Sequence, residues 1–226
     1  MVRAPRAPHG DRRTRALGEI ASLVTLEPWT LSRAYHADWH SAGLSDDDIL
    51  HAIVLSAFFG HLNRIADAVA VPLDYQVRLS PPPTDPTAPP LLPSPVAVTG
   101  RPAIELSRRP ATAQAIAAWR TYIFDRDAPL TRRQRTVLAR WVSLFLGDGG
   151  ISTPDDLTAN PIDGALRELA ETITLAPWKL SDETFRPLRK HGLDDAAIFD
   201  ACAVTSSAGF FSRVQVALAT LMRDRA

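Results

Sequence analysis

Sulfur nucleophiles are nearly absent from this chain: of 226 residues one is cysteine, Cys202. A lone thiol cannot form a disulfide within the chain or run a dithiol cycle inside one subunit, and it suits a reducing cytoplasm, the location expected. Net charge is missing as well. The 25 basic and 25 acidic side chains cancel, so no overall field draws the protein to nucleic acid or to an anionic membrane, and neither is expected as a partner. Nor is there a long hydrophobic run. The longest, around Ile53 to Gly60, is bounded by His51 and His61 and falls short of the roughly 20 residues of a membrane-spanning helix. Near the start, Arg3, Arg6, Arg12, Arg13 and Arg15 stand among proline and glycine, with no apolar stretch of the kind a secretory signal needs. A basic tail over residues 1–11 is expected there.

What the chain does contain is an ordinary globular composition, 46% apolar and 22% charged, enough for a sizeable core. It also contains an internal repeat. Residues 21–70 align without a gap on residues 170–219 at a constant offset of 149, with 16 of 50 positions identical. Thr25-Leu26-Glu27-Pro28-Trp29-Thr30-Leu31-Ser32 returns as Thr174-Leu175-Ala176-Pro177-Trp178-Lys179-Leu180-Ser181, and Gly60 and Arg64 return as Gly209 and Arg213. So long an ungapped register marks a repeated structural unit.

Each copy predicts three helices. The first ends before the Pro-Trp turn, because a proline disfavours helical geometry in the residue before it. Ser32 and Ser181 start a short second helix, which stops at Gly43 and Gly192, where glycine accepts the left-handed conformation of a C-cap. Ser45 and Asp194 cap a long third helix, with Asp46, Asp47 and Asp48 at the positive end of the first copy's dipole. In that copy Ile49, Ile53, Ser56, Gly60 and Asn63 form one stripe and Leu55, Phe58, Leu62, Ile65 and Val69 the next. The small Ser56 and Gly60 predict a close helix neighbour.

Eight prolines between Pro81 and Pro95 preclude a helix between the copies and predict an extended linker or strap over residues 76–110, with Leu91, Leu92, Val96 and Val98 to bury against the helices. Two further helices are expected after it. One carries Ile116, Trp119 and Ile123; the other starts at Thr131, turns Val137, Leu138, Trp141, Val142 and Phe145 inward and its arginines mostly outward, and ends at Gly147-Asp148-Gly149-Gly150. No stretch alternates as a strand would. The divisions are 1–11 tail, 12–75 first and partial unit, 76–110 strap and 111–226 second unit, an all-α fold.

The residues Leu130-Thr131-Arg132-Arg133-Gln134-Arg135, Leu166 to Ala170, Gly192 to Ile198 and the closing helix resemble the AhpD-like, carboxymuconolactone decarboxylase superfamily. Phe58-Phe59-Gly60-His61-Leu62-Asn63-Arg64 is similar to the Phe-Asn-x-x-Asn-Arg text of its peroxidase-related members. The resemblance implies an AhpD-like helical fold, homo-oligomerisation, no cofactor and a small-molecule substrate. The family's hydroperoxidases use a Cys-x-x-Cys pair, a histidine after it and a glutamate before, since one thiolate attacks peroxide, the other resolves the sulfenic acid, and the acid and imidazole carry protons. Here the matching region, Leu144 to Ile151, has no cysteine, the glutamate position falls at Thr136, and no histidine follows before His191. What the resemblance implies is therefore a non-redox enzyme acting on a small organic acid or lactone, as a lyase, decarboxylase or isomerase, or else a scaffold or partner-binding protein that has lost catalysis.

Candidate residues follow. His61 and Arg64 are the catalytic candidates, an acid or base and a carboxylate anchor, with Asn63, Asp67 and Arg213 as substrate-binding candidates; polar groups on so apolar a helix need partners or a ligand. The alternative for the arginines is a structural ion pair between helices. Cys202, whose repeat partner is the apolar Ile53, reads as a buried structural thiol. His36 and His40, four apart on a short helix, have metal-ligand spacing with Asp38 near in sequence, yet no His-Glu-x-x-His pattern supplies a third ligand, and no metal is assigned. Tyr122, Asp125, Arg126 and Asp127 are expected to cap helix ends or line an entrance, and Trp29 and Trp178 to wedge between helices.

Overall fold

A computed structural model describes residues 10–70, 87–100, 102, 104–149, 157 and 159–221. Among these residues there are eight α-helices and no strand, only an isolated bridge between Val98 and Asp148. The all-α expectation therefore holds.

The helices begin and end where local chemistry requires. Helix α1 (Arg12–Leu26) opens on Asp11, whose carboxylate accepts from the Thr14 N–H at 2.8 Å. A single 3₁₀ turn, Pro28–Thr30, leads to α2 (Arg33–Ser41). Gly43, at φ +89°, turns the chain into α3 (Asp46–Ala68), where Ser45 and Asp48 bond reciprocally as a capping box. Next come α4 (Pro110–Phe124) and α5 (Arg132–Leu146), the latter with a Thr131–Gln134 capping box and a left-handed Gly147 after its last turn. Then α6 (Asp163–Leu175), a 3₁₀ turn at Pro177–Lys179, α7 (Asp182–Lys190), a left-handed Gly192 and α8 (Asp195–Thr220), capped by Asp194, run through the same series of elements as α1 to α3.

Helix α8 is the axis of the core. It packs on α3, α5 and α6, with α1 against α3 and α6 against α5, and it is buried over most of its length from Ala197 to Thr220. Its apolar side chains, Ala201, Val204, Phe210, Val216 and Leu218 among them, are at most 2% exposed. Burying a side chain of this size contributes about 1.5–3 kcal/mol.

Helix α3 differs from the expected pattern. The buried residues are Ile49, Leu50, Ile53, Ala57, His61 and Arg64, whereas Leu55, Phe58, Leu62 and Val69 lie on the surface and Asn63 faces water. Both sides of this helix are apolar, and contact with α1 and α8 decides which one is covered. Gly60 differs too: the space beside its Cα is filled by the Arg64 guanidinium, 3.1 Å from where a Cβ would sit, rather than by a neighbouring helix. Helix α3, of 23 residues, contains an 18-residue stretch of mean hydropathy 1.4 and is by length and composition long and apolar enough to cross a membrane, which the count of its longest unbroken run misses.

The described part of the strap lies against the helices. Leu91 N–H donates to Leu175 O (2.8 Å), Ser94 N–H to Phe145 O (2.7 Å) and Val98 N–H to Gly147 O (2.6 Å), while Trp178 Nε1 donates to Ala88 O (3.3 Å). The three backbone bonds satisfy carbonyls that helix C-termini leave open, and the Trp178 indole satisfies one of the strap's own. Val98 is buried and Leu91 half-buried, but Leu92 and Val96 face solvent. Arg3 and Arg6 of the basic tail and Pro81 to Pro86 of the strap lie outside the described residues.

Candidate functional site

The catalytic candidates sit on the inner face of α3. His61 is 8% exposed, and its Nδ1 is 2.9 Å from the Ser206 hydroxyl of α8. The Ser206 hydroxyl also lies 3.3 Å from Ala203 O; donation there has Nδ1 as the donor and Nε2 with the lone pair, whereas donation to Nδ1 puts the proton on Nε2. Rings close around the imidazole: Trp119 of α4 at 4.8 Å between centroids and Phe58 at 6.2 Å, with Phe210 stacked behind Trp119 at 4.8 Å. Burial pulls the His61 pKa below its usual value, a bond to the Ser206 backbone works the other way, and Arg64 adds to the lowering.

Arg64 and Arg213 answer each other across the fold. Arg64 Nε donates to Ile173 O in the last turn of α6 (3.0 Å), and its Nη1 folds back onto Gly60 O (2.8 Å). Arg213 Nε donates to Thr25 O in the last turn of α1 (3.2 Å), its Nη2 to Thr174 O (3.4 Å) and its Nη1 to Gly209 O (3.3 Å). Each arginine thus reaches the C-terminal end of the other half's first helix, where open carbonyls and the helix dipole favour a cation. Both are buried. Burial brings Arg64 down to about 10 and lowers Arg213 well below its ordinary value, with repulsion from Arg64 as the second cause for Arg213. The ion pair considered as the alternative role is replaced by carbonyl capping. Asp67 and Asn63 stand on the exposed side of α3 and do not join His61; the Asp67 carboxyl is pushed up by desolvation, with Arg64 pulling it down.

Cys202 is buried at 2% exposure with its thiol pushed up to about 12 by desolvation, a thiol unsuited to act as a thiolate. The Thr136 hydroxyl donates to Arg132 O at 2.9 Å.

The sequence reading missed a buried ionic network. Arg135, expected to face outward, is fully buried, donating to Ile123 O (2.9 Å) and Ala128 O (3.1 Å) and to both carboxylate oxygens of Asp200. Asp200 also accepts from Arg126 Nη2 (2.9 Å) and from Leu130 N–H (3.3 Å). The correction has a simple origin: Arg135, Leu138 and Val142 share one face of α5, so the arginine is carried into the core and needs the carboxylate there. A second pair, Arg133 with the buried Asp163, joins α5 to α6 at 2.7 Å. Arg126 lies over the Tyr122 ring at 4.2 Å, and Asp127 accepts from Arg132 N–H at 2.7 Å at the start of α5, the helix-end role expected of this segment.

His36 and His40 are brought together, but with Asp46 rather than Asp38. His36 Nε2 and His40 Nε2 are each 3.0 Å from Asp46 Oδ1 and 3.1 Å from one another. Asp46 comes into reach because the turn through Gly43 places the first residue of α3 beside the last turn of α2. Among the described residues this is the one group of three or more His, Cys, Asp or Glu side chains close enough to share a metal ion.

Two open grooves flank Phe211. One, of about 590 Å³, runs between α4 and α8 and is lined by Ile116, Arg120, Phe210 and Gln215; the other, of about 400 Å³, by Arg120, Phe124, Arg140 and Ser212. Neither is lined by His61 or Arg64. No protein-family model matches the chain, and neither a characterised protein nor a solved structure matches it.

Proposed function

We propose that this chain is a doubled AhpD-like helical module without redox cysteines that works as an associating scaffold, its partner being a second copy of itself. The observation that carries the reading is the outer side of α3, where Leu55, Phe59 and Leu62 are 40–58% exposed on adjacent turns. Monomeric proteins rarely leave such a stripe uncovered, and cyclic homodimers are the commonest way to cover one. The inward groups favour the same reading. Arg64 is committed to Ile173 and Gly60, which argues against its service as a carboxylate anchor. The recurrence of sequence and of element order at one spacing supports duplication, and the absent dithiol pair argues against peroxide chemistry.

Light scattering coupled to size exclusion tests this directly. The native chain is expected to run as a dimer or larger assembly, and Phe59→Glu with Leu62→Glu to convert it to a folded monomer with unchanged helix content. A native chain that is monomeric at tens of micromolar rejects the reading.

One observation favours a second reading, a non-redox enzyme acting on a small organic acid or lactone. Burial lowers the His61 pKa, and the Ser206 hydroxyl engages its Nδ1 rather than its Nε2, the atom that would exchange a proton with a substrate. A lactone-acid turnover that survives His61→Ala at the native rate would dispose of it.

A further inference from the structure

We infer that His36, His40 and Asp46 bind a first-row divalent cation of the zinc class. The argument starts from proton counting. Three donor atoms, two imidazole Nε2 and one carboxylate oxygen, form a triangle with edges of 3.0, 3.0 and 3.1 Å. Two imidazoles supply at most two protons at Nε2, so hydrogen bonds can account for the two edges to Asp46 but not for the third, between the histidines. With both nitrogens protonated, each N–H donates to Asp46 Oδ1, and the His36–His40 edge is left as a close contact between two donors with no acceptor between them. One cation seated just off the plane of the triangle engages all three atoms together.

The dimensions agree. Imidazole nitrogen and carboxylate oxygen bind zinc-class ions at about 2.0–2.1 Å. Three ligands at mutual right angles around such an ion lie about 3.0 Å apart, against about 3.4 Å at tetrahedral angles, so this triangle has the size of one face of an octahedron. Its residue types, two histidines and a carboxylate, suit zinc, cobalt, nickel or iron better than calcium or magnesium. The carboxylate is oriented from behind: Arg108 Nη1 is 3.7 Å from Asp46 Oδ2, the oxygen not shared with the histidines, and Arg108 Nε donates to Asp47 at 3.0 Å. The three side chains are between 19% and 41% exposed, leaving the far side of the ion open to water or an exogenous ligand.

A comparison within the chain separates this from ordinary stapling of α2 to α3. The positions equivalent to His36, His40 and Asp46 at the offset of 149 are Phe185, Arg189 and Asp195. There Arg189 Nη2 bonds Asp195 Oδ1 at 3.1 Å and Phe185 is buried. One ion pair and one phenyl ring are enough to join α7 to α8. The first half replaces both with metal-ligand side chains whose donor atoms converge on a single oxygen.

That arrangement supplies the test. Tag-free full-length protein stripped with chelator is titrated with Zn²⁺ by calorimetry and with Co²⁺ by visible absorption. The native chain is expected to bind one equivalent of each. The double variant His36→Phe, His40→Arg copies the second half and is expected to keep its circular dichroism and melting temperature while its Zn²⁺ affinity falls at least 100-fold and the Co²⁺ bands vanish. Asp46→Asn, which keeps size and shape, is expected to weaken Zn²⁺ at least tenfold. Native protein that takes up no stoichiometric Zn²⁺ overturns the inference, as does a folded double variant that binds as the native chain does.

Discussion

At the scale of single residues, His61 shows how an enclosed titratable group links structure to pH. Its equivalent in the second half is Phe210, a plain aromatic ring, to which the imidazole adds a protonation equilibrium. The folded state lowers the His61 pKa below the unfolded value of about 6.5. A group with a depressed folded pKa that must stay uncharged contributes stability above the unfolded pKa, and that stability drains away as pH falls from about 6.5 toward the folded value. Urea midpoints measured from pH 7.5 to 5 are therefore expected to fall with acidity, and His61→Phe to flatten that slope; an unchanged slope in the variant assigns the acid sensitivity elsewhere. The residue type and its place on a helix were legible in the sequence. Its enclosure was not, because Trp119 and Ser206 belong to helices remote in the chain.

Among elements, the instructive pairing is glycine with arginine four positions on. A Cβ at Gly60 would stand 3.1 Å from Arg64 Nη1, and one at Gly209 would stand 3.0 Å from Arg213 Nη1. The missing side chain is what lets each guanidinium lie back along its own helix while reaching a neighbour's final turn. Arg64→Met keeps much of the aliphatic bulk but leaves the Ile173 and Gly60 carbonyls without this donor. It is expected to destabilise the fold by on the order of 3 kcal/mol, read from urea unfolding. Arg64→Lys retains the charge without two diverging donors, so it should recover only part of that loss.

Helix ends were the most legible part of the sequence, since Ser45, Thr131, Asp194, Gly43 and Gly192 act through neighbours within a few residues. The inward side of α3 was not, because Leu55 and Phe58 are as apolar as Ile53 and Ala57 and only packing against α8 distinguishes them. The third partner of His36 and His40 left a signal that could have been read: a cap and an acidic first turn immediately after a tight glycine turn bring Asp46 back over α2.

Over the whole molecule, Asp200 is the junction. It receives Arg135 from α5, Arg126 from the turn before it and the Leu130 backbone, and so ties the segment between the two halves to the core helix. Removing one member of a buried charge pair leaves the other uncompensated, at a cost of about 3–5 kcal/mol. Against a total stability of roughly 5–15 kcal/mol, Asp200→Ala is expected to lower the melting temperature sharply, and calorimetry showing a native-like transition would mean Arg135 finds another acceptor.

The exchanged arginines carry a last consequence. Because each half supplies the cation that completes a helix in the other, neither half is self-sufficient. A fragment ending before the strap would keep Arg64 without its Ile173 partner and Thr25 with a bare carbonyl, and its complement would keep Arg213 on Thr174 but leave Ile173 uncapped. Produced separately, the two pieces should stay unstructured alone and gain order only when mixed.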